Sequence, residues 1–561
     1  MTPFRFPAVS RLAEGTYDQV VRALREPSEA RQFLVDAADR AGEATAVTGK
    51  MLSSSVVYAK HLDAIEERAE NLRGVKESKE GRIRRLSGPG KRPAMLCVVF
   101  FVLCYSSWSF RLPMDVTIDT VSPARVHALD HLERVQEDEA FVDKLTIDDA
   151  DARTRRQARE LVAGVTRQRR WLDFVLGEAY HGEYDSMEHR LREILRLGLY
   201  ELLFQSTPTH AAVDEYVELA KKALRPGAGN LVNGVLRTID RDREHIPNPD
   251  TGDDAEDLAL RYSHPTWMVQ RWLDRFGLDE TTELLRANNR RPMYSVRANP
   301  LRTTKPEVAE WLDEHDVVHV DSPYLDRYLR LKRLQALIEG DLLDDGHVAV
   351  QDESAGLVVQ LLDPQPGETL IDGCAAPGGK AMHAAAQMDG AGTVYAIDRD
   401  EQRLERVEEA ASAQGVSEMT EVETADLRTW AAQPDPPQGD RVLLDVPCTG
   451  MGVLAKRAGL RWRRSPDDLT EMAELQDELL DAAASLVRPG GLLVYSTCTT
   501  EPEENEQRVE AFLARHDGFT VESADGYVPD EMVADGGYLA TFPHRHRLDG
   551  AFAARLRRDD A

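Results

Sequence analysis

Residues 369–387 read TLIDGCAAPGGKAMHAAAQ: four residues of strand character, a turn rich in glycine, then a run that forms helix. A turn of this kind belongs at the carboxyl end of the first strand of an open α/β sheet, where such sheets bind ligands. Outward from it, Thr393 to Asp398, Glu421 to Asp426, Val442 to Val446 and Leu492 to Thr497 are further short strand-like runs, most of them followed by helical patterns. Strands alternating with helices predict a doubly wound, mainly parallel sheet, a Rossmann-like domain over 345–561. The helix after Arg464 carries its own start signal, with Ser465 as cap, Pro466 in the first turn and Asp467 and Asp468 against the dipole. Pro489-Gly490-Gly491 is expected to end it.

Three ligands compete for the glycine loop. A phosphate-cradling loop needs glycine at 374 and Ser or Thr at 381, where the chain has Cys374 and Ala381. A dinucleotide fingerprint would use Gly373, position 375 and Gly378, but 375 is alanine and Pro377 removes a backbone donor, which weakens that reading without excluding it. S-Adenosylmethionine has no pyrophosphate, so Cys374, Ala375, Ala376, Pro377, Gly378, Gly379 and Lys380 need only let backbone approach a methionine moiety. Asp398, at the end of the second strand and twenty residues after Gly378, suits ribose hydroxyls. Asp426 at the third strand end is placed for the adenine edge, and Asp445 at the fourth lies beside the reacting methyl group. The competing reading is that these aspartates cap the helices that follow.

The rest of the chain fixes the organisation. A length of 561 residues suggests three or four domains at about 150 residues each. Five cysteines, 42% hydrophobic and 30% charged residues exclude disordered, collagenous and disulfide-scaffold chains. Residues 124–242 read as all helical, with Leu191, Ile194, Leu195, Leu199, Leu202 and Leu203 on one stripe and Gly198 on it where another helix approaches. A helical bundle is therefore expected over 121–243, a polar linker over 244–257 and a small α+β module over 258–344.

The net charge of −29 is uneven: residues 1–113 carry +5, which leaves −34 for 114–561, with only seven lysines there. Excess carboxylate with little lysine suits a salt-rich cytoplasm, where self-repulsion is screened. The melting temperature is expected to fall when salt is removed, and an unchanged value in a salt titration would refute the adaptation. Residues 1–120 read as an extension of uncertain standing. Its apolar run AMLCVVFFVLCY (94–105) has twelve residues, short of the ~20 that span a membrane. Met114 is the preferred true start, with a buried strand or a signal anchor as alternatives, and the intact mass of native protein settles it. No membrane association is expected.

From Met114 onward the cysteines are Cys374, Cys448 and Cys498, all at strand ends of the α/β sheet. Cys448 lies in Asp445-Val446-Pro447-Cys448-Thr449-Gly450 and Cys498 in Ser496-Thr497-Cys498-Thr499, both opening toward the cofactor edge. An isolated buried cysteine is usually a small hydrophobe, but two in polar loops at one sheet edge point to chemistry. No Cys-x-x-Cys pair is present, so no metal site is expected.

DGCAAPGGK (372–380), DVPCTG (445–450) and YSTCT (495–499), with VQDESAGLV (350–358) ahead and HRLDGAFAARL (546–556) behind, closely resemble the Sun/RsmB-type RNA cytosine carbon-5 methyltransferases, over essentially all of 124–556. The helical region ending in NLVNGVLR (230–237) resembles the NusB-like RNA-binding domain of that branch, and VRANPLRTT (296–304) the small module between the two. The resemblance implies transfer of methyl from S-adenosylmethionine to a cytosine of small-subunit (16S) ribosomal RNA, before full assembly; composition fits a cytoplasmic protein, and a monomer is the default expectation. It assigns Cys498 as the nucleophile at carbon 6, Cys448 to product release and Asp445 to activation of the base. The alternatives are the same chemistry on tRNA, or an RNA-binding assembly factor with a vestigial transferase.

A base so attacked must leave its stack, which calls for local positive charge. Lys456, Arg457, Arg461, Arg463 and Arg464 place five cations in nine residues with Trp462 among them, the first candidate for an RNA contact. A solvated charged face is the competing reading. Arg286, Arg290, Arg291, Arg297 and Arg302 form a second cluster.

Overall fold

A computed structural model describes residues 121–136, 147 and 150–560. The apolar run 94–105 and Met114 lie outside these residues. Five helices, α1 (Pro123–Gln136), α2 (Ala152–Ala179), α3 (His189–Phe204), α4 (Thr209–Ala223) and α5 (Pro226–Arg241), form a bundle. Leu191, Ile194, Leu195, Leu199 and Leu202 are the buried stripe of α3. A Cβ on Gly198 would stand 2.7 Å from Leu236 of α5, so glycine is what lets the two helices close. Beneath the apolar core Arg125 reaches across to Glu201 and Glu215, and the Tyr216 hydroxyl donates to Glu201 at 2.8 Å.

The acidic stretch expected as linker ends sooner than 257. Asp253 caps α6 (Asp254–Arg261) by accepting from the Glu256 amide at 3.0 Å, and Asp254, Glu256 and Asp257 fill its first turn. Carboxylates there offset the positive end of the helix dipole. The next helix, α7 (Thr266–Asn289), bends at Gly277. Four antiparallel strands follow in the order β2 (His319–Asp321), β3 (Tyr328–Leu331), β1 (Tyr294–Ala298), β4 (Val348–Val350). Strand β4 pairs with β1, so the small module extends past the boundary expected at 344.

The main sheet contains β5 (Thr369–Asp372), β6 (Thr393–Asp398), β7 (Thr420–Thr424), β8 (Gly439–Asp445), β9 (Val487–Thr497), β10 (Phe519–Glu522), β11 (Val533–Ala534), β12 (Tyr538–Thr541) and β13 (Ala551–Arg558). Its order is β11-β12-β13-β9-β8-β5-β6-β7, with β10 on β13. The pairs from β7 to β9 are parallel, and those made by β10 to β13 are antiparallel. Alternate residues enter two cores: Leu370, Val394, Leu443 and Leu492 on one face, Ile371, Val442, Leu444 and Leu493 on the other. Covering both faces is why these strands read as unbroken apolar runs.

Two expectations about the helix after Arg464 are corrected. It spans Asp467–Leu486, and Ser465 does not cap it as an acceptor; its amide and hydroxyl both donate to Asp468, at 2.7 and 2.8 Å. Pro489-Gly490-Gly491 lies inside β9, which begins at once after the helix, and the pairing with β8 shifts register to admit the irregularity.

Candidate active site

The chain travels from β5 through β6 to β7, then returns to the other side of β5 as β8. That reversal opens a crevice at the strand carboxyl ends. The loops leaving β5, β8 and β9 meet there. Because Asp445 pairs in register with Ser496, Cys448 and Cys498 emerge side by side, with sulfurs 3.2 Å apart. Each loop is pinned from behind. Buried Glu504 accepts from the Thr449 amide at 2.8 Å, from the Thr449 hydroxyl and from Gln476 at 3.0 Å. Arg464 donates to the carbonyls of Thr449 (2.8 Å) and Cys448 (3.3 Å). Asn505 accepts from Thr497 at 2.6 Å and donates to the Thr499 carbonyl at 3.2 Å.

The two thiols are electrostatically unlike. The hydrogen bond from Cys448 holds Cys498 below the ordinary thiol range against the opposing effects of burial and Asp445, helped by the charges of Lys380 and Arg457. The same bond, with burial, pushes Cys448 well above it. The bond thus biases the pair toward thiolate character on Cys498 and toward the proton on Cys448. Cys374 is pushed up by burial and by Asp372, Asp398 and Asp445, so it stays a protonated thiol and not a nucleophile.

Asp445 is held by Lys380 Nζ at 2.6 Å and by the Ser496 hydroxyl at 2.8 Å. Lys380, expected with the cofactor loop, therefore reaches across to the reacting side. Burial opposes its charge, but Asp445 raises its pKa above the usual lysine value. Asp398 is buried and accepts from the amides of Ala376 (3.1 Å) and Asp400 (3.0 Å). Asp426 caps the helix Leu427–Ala431, and Arg428 holds both of its oxygens. Asp426 therefore serves as a helix cap, the competing reading of these aspartates. Asp372 stands apart: burial first, then Asp445, pushes its carboxyl up to about 7. Gly378 has φ +95°, and a Cβ on it would lie 3.2 Å from the Val407 backbone, so the loop tolerates no side chain there.

Whether this edge suits S-adenosylmethionine follows from its charge. The strand-end carboxyls at 372, 398 and 445 offer acceptors to a ligand that is cationic and bears hydroxyls, with Asp445 the one paired to a lysine. This acceptor set fits a sulfonium nucleoside.

The profile of the 16S rRNA methyltransferase RsmB/F family matches residues 359–557, that of the NusB family 122–241, and that of the RsmF/B-like ferredoxin-like domain 264–337. A Synechocystis protein named probable ribosomal RNA small subunit methyltransferase B is 37% identical over 72% of this chain and 91% of its own length. A Bacillus subtilis protein of the same name is 33% identical over 71% and 89%. The chain belongs to the RsmB/F methyltransferase family. The crystal structure of PH0851, at 30% identity, superposes with a TM-score of 0.65 over 78% of this chain and 99% of that one. The RsmB/F chain thus has a helical NusB domain, a ferredoxin-like module and a Rossmann-like domain that uses S-adenosylmethionine. Among its described residues no helix is long and apolar enough to cross a membrane.

The side chains of the basic run 456–464 are engaged to very different degrees. Arg461 is 0% exposed and donates to the carbonyls of Ser263 (3.0 Å) and Asn288 (3.1 Å) and to the Asn289 side chain (2.9 Å), with longer bonds to the Arg167 and Leu454 carbonyls. Burial and Arg167 push its pKa down to about 9, which leaves it charged. It fastens three domains together and cannot meet solvent RNA. Lys456 is taken by Asp352 and Asp549, and Arg464 by the Cys448 loop and Asp468. Trp462 donates its indole N–H to the Thr166 carbonyl at 2.7 Å. Arg463 is half-buried and Arg457 exposed. In the second cluster Arg297 is buried against Gln351 and Gln414, while Arg286 pairs with Glu283 and Arg291 with Glu160.

Sequence reasoning missed Asp372, Glu504 and the carboxylates around Lys456. The available signal for Glu504 was the acidic run Glu501-Pro502-Glu503-Glu504 directly behind Cys498.

Proposed function

We propose that this chain methylates carbon 5 of a cytosine in small-subunit (16S) ribosomal RNA, with Cys498 as the attacking thiolate. The observation that carries the reading is the pair of thiols 3.2 Å apart, with Cys498 the one whose acidity is raised by its neighbours. Carbon 5 of cytosine is too weak a nucleophile unaided. Addition of the Cys498 sulfur to carbon 6 places enamine density on carbon 5. Asp445, oriented by Lys380 and Ser496, accepts from the base amino group and fixes the ring over the thiolate. Cys448 removes the carbon-5 proton after transfer, and Cys498 then leaves. S-Adenosylmethionine, held by the 373–380 loop, Asp398 and neighbouring residues, supplies an electrophilic methyl group when bound. Arg457 meets the substrate backbone, a role supported by its exposure and by its effect on Cys498. The chain acts as a cytoplasmic monomer on RNA before the subunit is complete, while the base can still leave its stack. Bisulfite sequencing of ribosomal RNA from a strain lacking the gene tests this. One small-subunit cytosine is expected to lose its protection, and an unchanged pattern refutes the assignment.

A further inference from the structure

One cleft lies where all three domains meet. It has a volume of about 400 Å³ and is lined by Arg169 and Arg170 of α2, Trp267 at the start of α7, and Arg461, Trp462 and Arg464. Four of these six side chains are guanidinium groups and the other two are indoles.

The charge of this cleft is left unbalanced. The one carboxylate that lines it, Asp173, already accepts from Arg196 twice at 2.7 Å and from the Tyr184 hydroxyl at 2.6 Å. Arg461 is fully buried, is bonded to carbonyls and an amide only, and its Nε has no partner among the described residues. Arg169 lies over the Trp462 ring, 4.7 Å from its centroid, and no carboxylate among the described residues comes within ion-pair distance of it. Arg170 and Arg464 are the balanced members, paired with Glu256 at 2.5 Å and with Asp468 at 3.2 Å, which leaves Arg169 and Arg461 as the surplus. In a chain of net charge −29, an aromatic pocket with surplus cations is a marked local exception. Such a pocket attracts a phosphate and stacks a base.

The cleft is also wired to the reaction centre. Arg464 forms part of its wall and, through the same guanidinium, holds the carbonyls of Cys448 and Thr449. A strand anchored in the cleft would therefore lie against the loop that carries Cys448.

We propose that this three-domain cleft holds one unpaired nucleotide of the RNA substrate, its base against the two tryptophans and its phosphate on Arg169. The inference rests on the reading of the chain as an RNA methyltransferase, and it assigns the NusB domain a direct part in seating the strand. The burial of Arg461 then has a purpose: it locks the three walls in register.

The test uses the full chain and a fluorescein-labelled single-stranded oligoribonucleotide from small-subunit RNA. Arg169→Ala is expected to raise the Kd for RNA about tenfold and to lower the slope of log Kd against log salt by about 0.7, the loss of one phosphate contact. Affinity for S-adenosylmethionine should not move, and the melting temperature should fall by no more than a few degrees, the loss of one contact with the Trp462 ring. Arg169→Lys should restore the salt slope. Ultraviolet cross-linking of wild-type protein to the same RNA, read by peptide mass, should label peptides containing Trp267 or Trp462. An unchanged Kd and slope in Arg169→Ala, or cross-links confined to other peptides, would overturn the proposal. These readouts need no methyl transfer. A wild-type chain that bound RNA here but never became bonded to a 5-fluorocytidine substrate would sink the methyltransferase reading and leave the cleft standing.

Discussion

Cys498→Ala is expected to lose turnover by about 10⁴-fold or more and to lose covalent capture of a 5-fluorocytidine RNA entirely. The size follows from the chemistry, because without a sulfur at carbon 6 the ring has no route to electron density at carbon 5. The direction of the pH dependence follows from the same site. Cys498 is held below the ordinary thiol value of about 8.5 by the Cys448 hydrogen bond, then by Lys380 and Arg457. The reactive form is the deprotonated one, so capture should persist at pH values where a free thiol is protonated and should fall only as pH drops through the depressed value. Lys380→Met removes one of the charges that lower it, and the capture profile should move to higher pH. Single-turnover capture followed on denaturing gels across pH reads both effects. Undiminished capture by Cys498→Ala would place the nucleophile elsewhere.

The parts of this site that were legible in the sequence share one property: they are local. The strand Thr369–Asp372, its glycine loop and the two cysteine loops announce themselves within ten residues, because strand ends and turns are set by nearby chemistry. Arg461 was read wrongly for the opposite reason. Five cations in nine residues look solvated, and nothing local shows that carbonyls from Arg167, Ser263 and Asn288 will converge on one of them. Strands β10 to β13 escaped as well: they pair antiparallel around β13, which joins them to β9, through contacts with no signature in spacing. Asp372 was plain in the motif, yet its raised pKa depends on burial and on Asp445, seventy-three residues away. Function was thus more legible than the packing that tunes it.

Cys448→Ala is expected to stall as a stable covalent protein–RNA adduct, close to one RNA per chain, with multiple turnover lower by about 10²–10⁴-fold. The largest contribution that raises the Cys448 pKa is its hydrogen bond to Cys498, ahead of burial. When the Cys498 sulfur is no longer a thiolate that bond weakens, and the smaller contribution from its charge is lost. Once the Cys498 sulfur is bonded to carbon 6 it is a neutral thioether, and Cys448 releases its proton to solvent more readily. The resulting thiolate, 3.2 Å from Cys498 in the free protein, can then take the proton from carbon 5. The electron pair of that C–H bond re-forms the ring double bond and expels Cys498 as a thiolate, which restores the starting pair. Attack itself therefore arms the base for release. In Cys448→Ala the nucleophile also loses its main acidifying partner, so the adduct should form more slowly and at higher pH, while Lys380 and Arg457 still support it. Denaturing gels and intact-mass spectra of the variant with unmodified RNA distinguish the outcomes. Normal turnover would show that another group takes the carbon-5 proton. Absence of any adduct at any pH would show that Cys448 is needed for attack rather than for release.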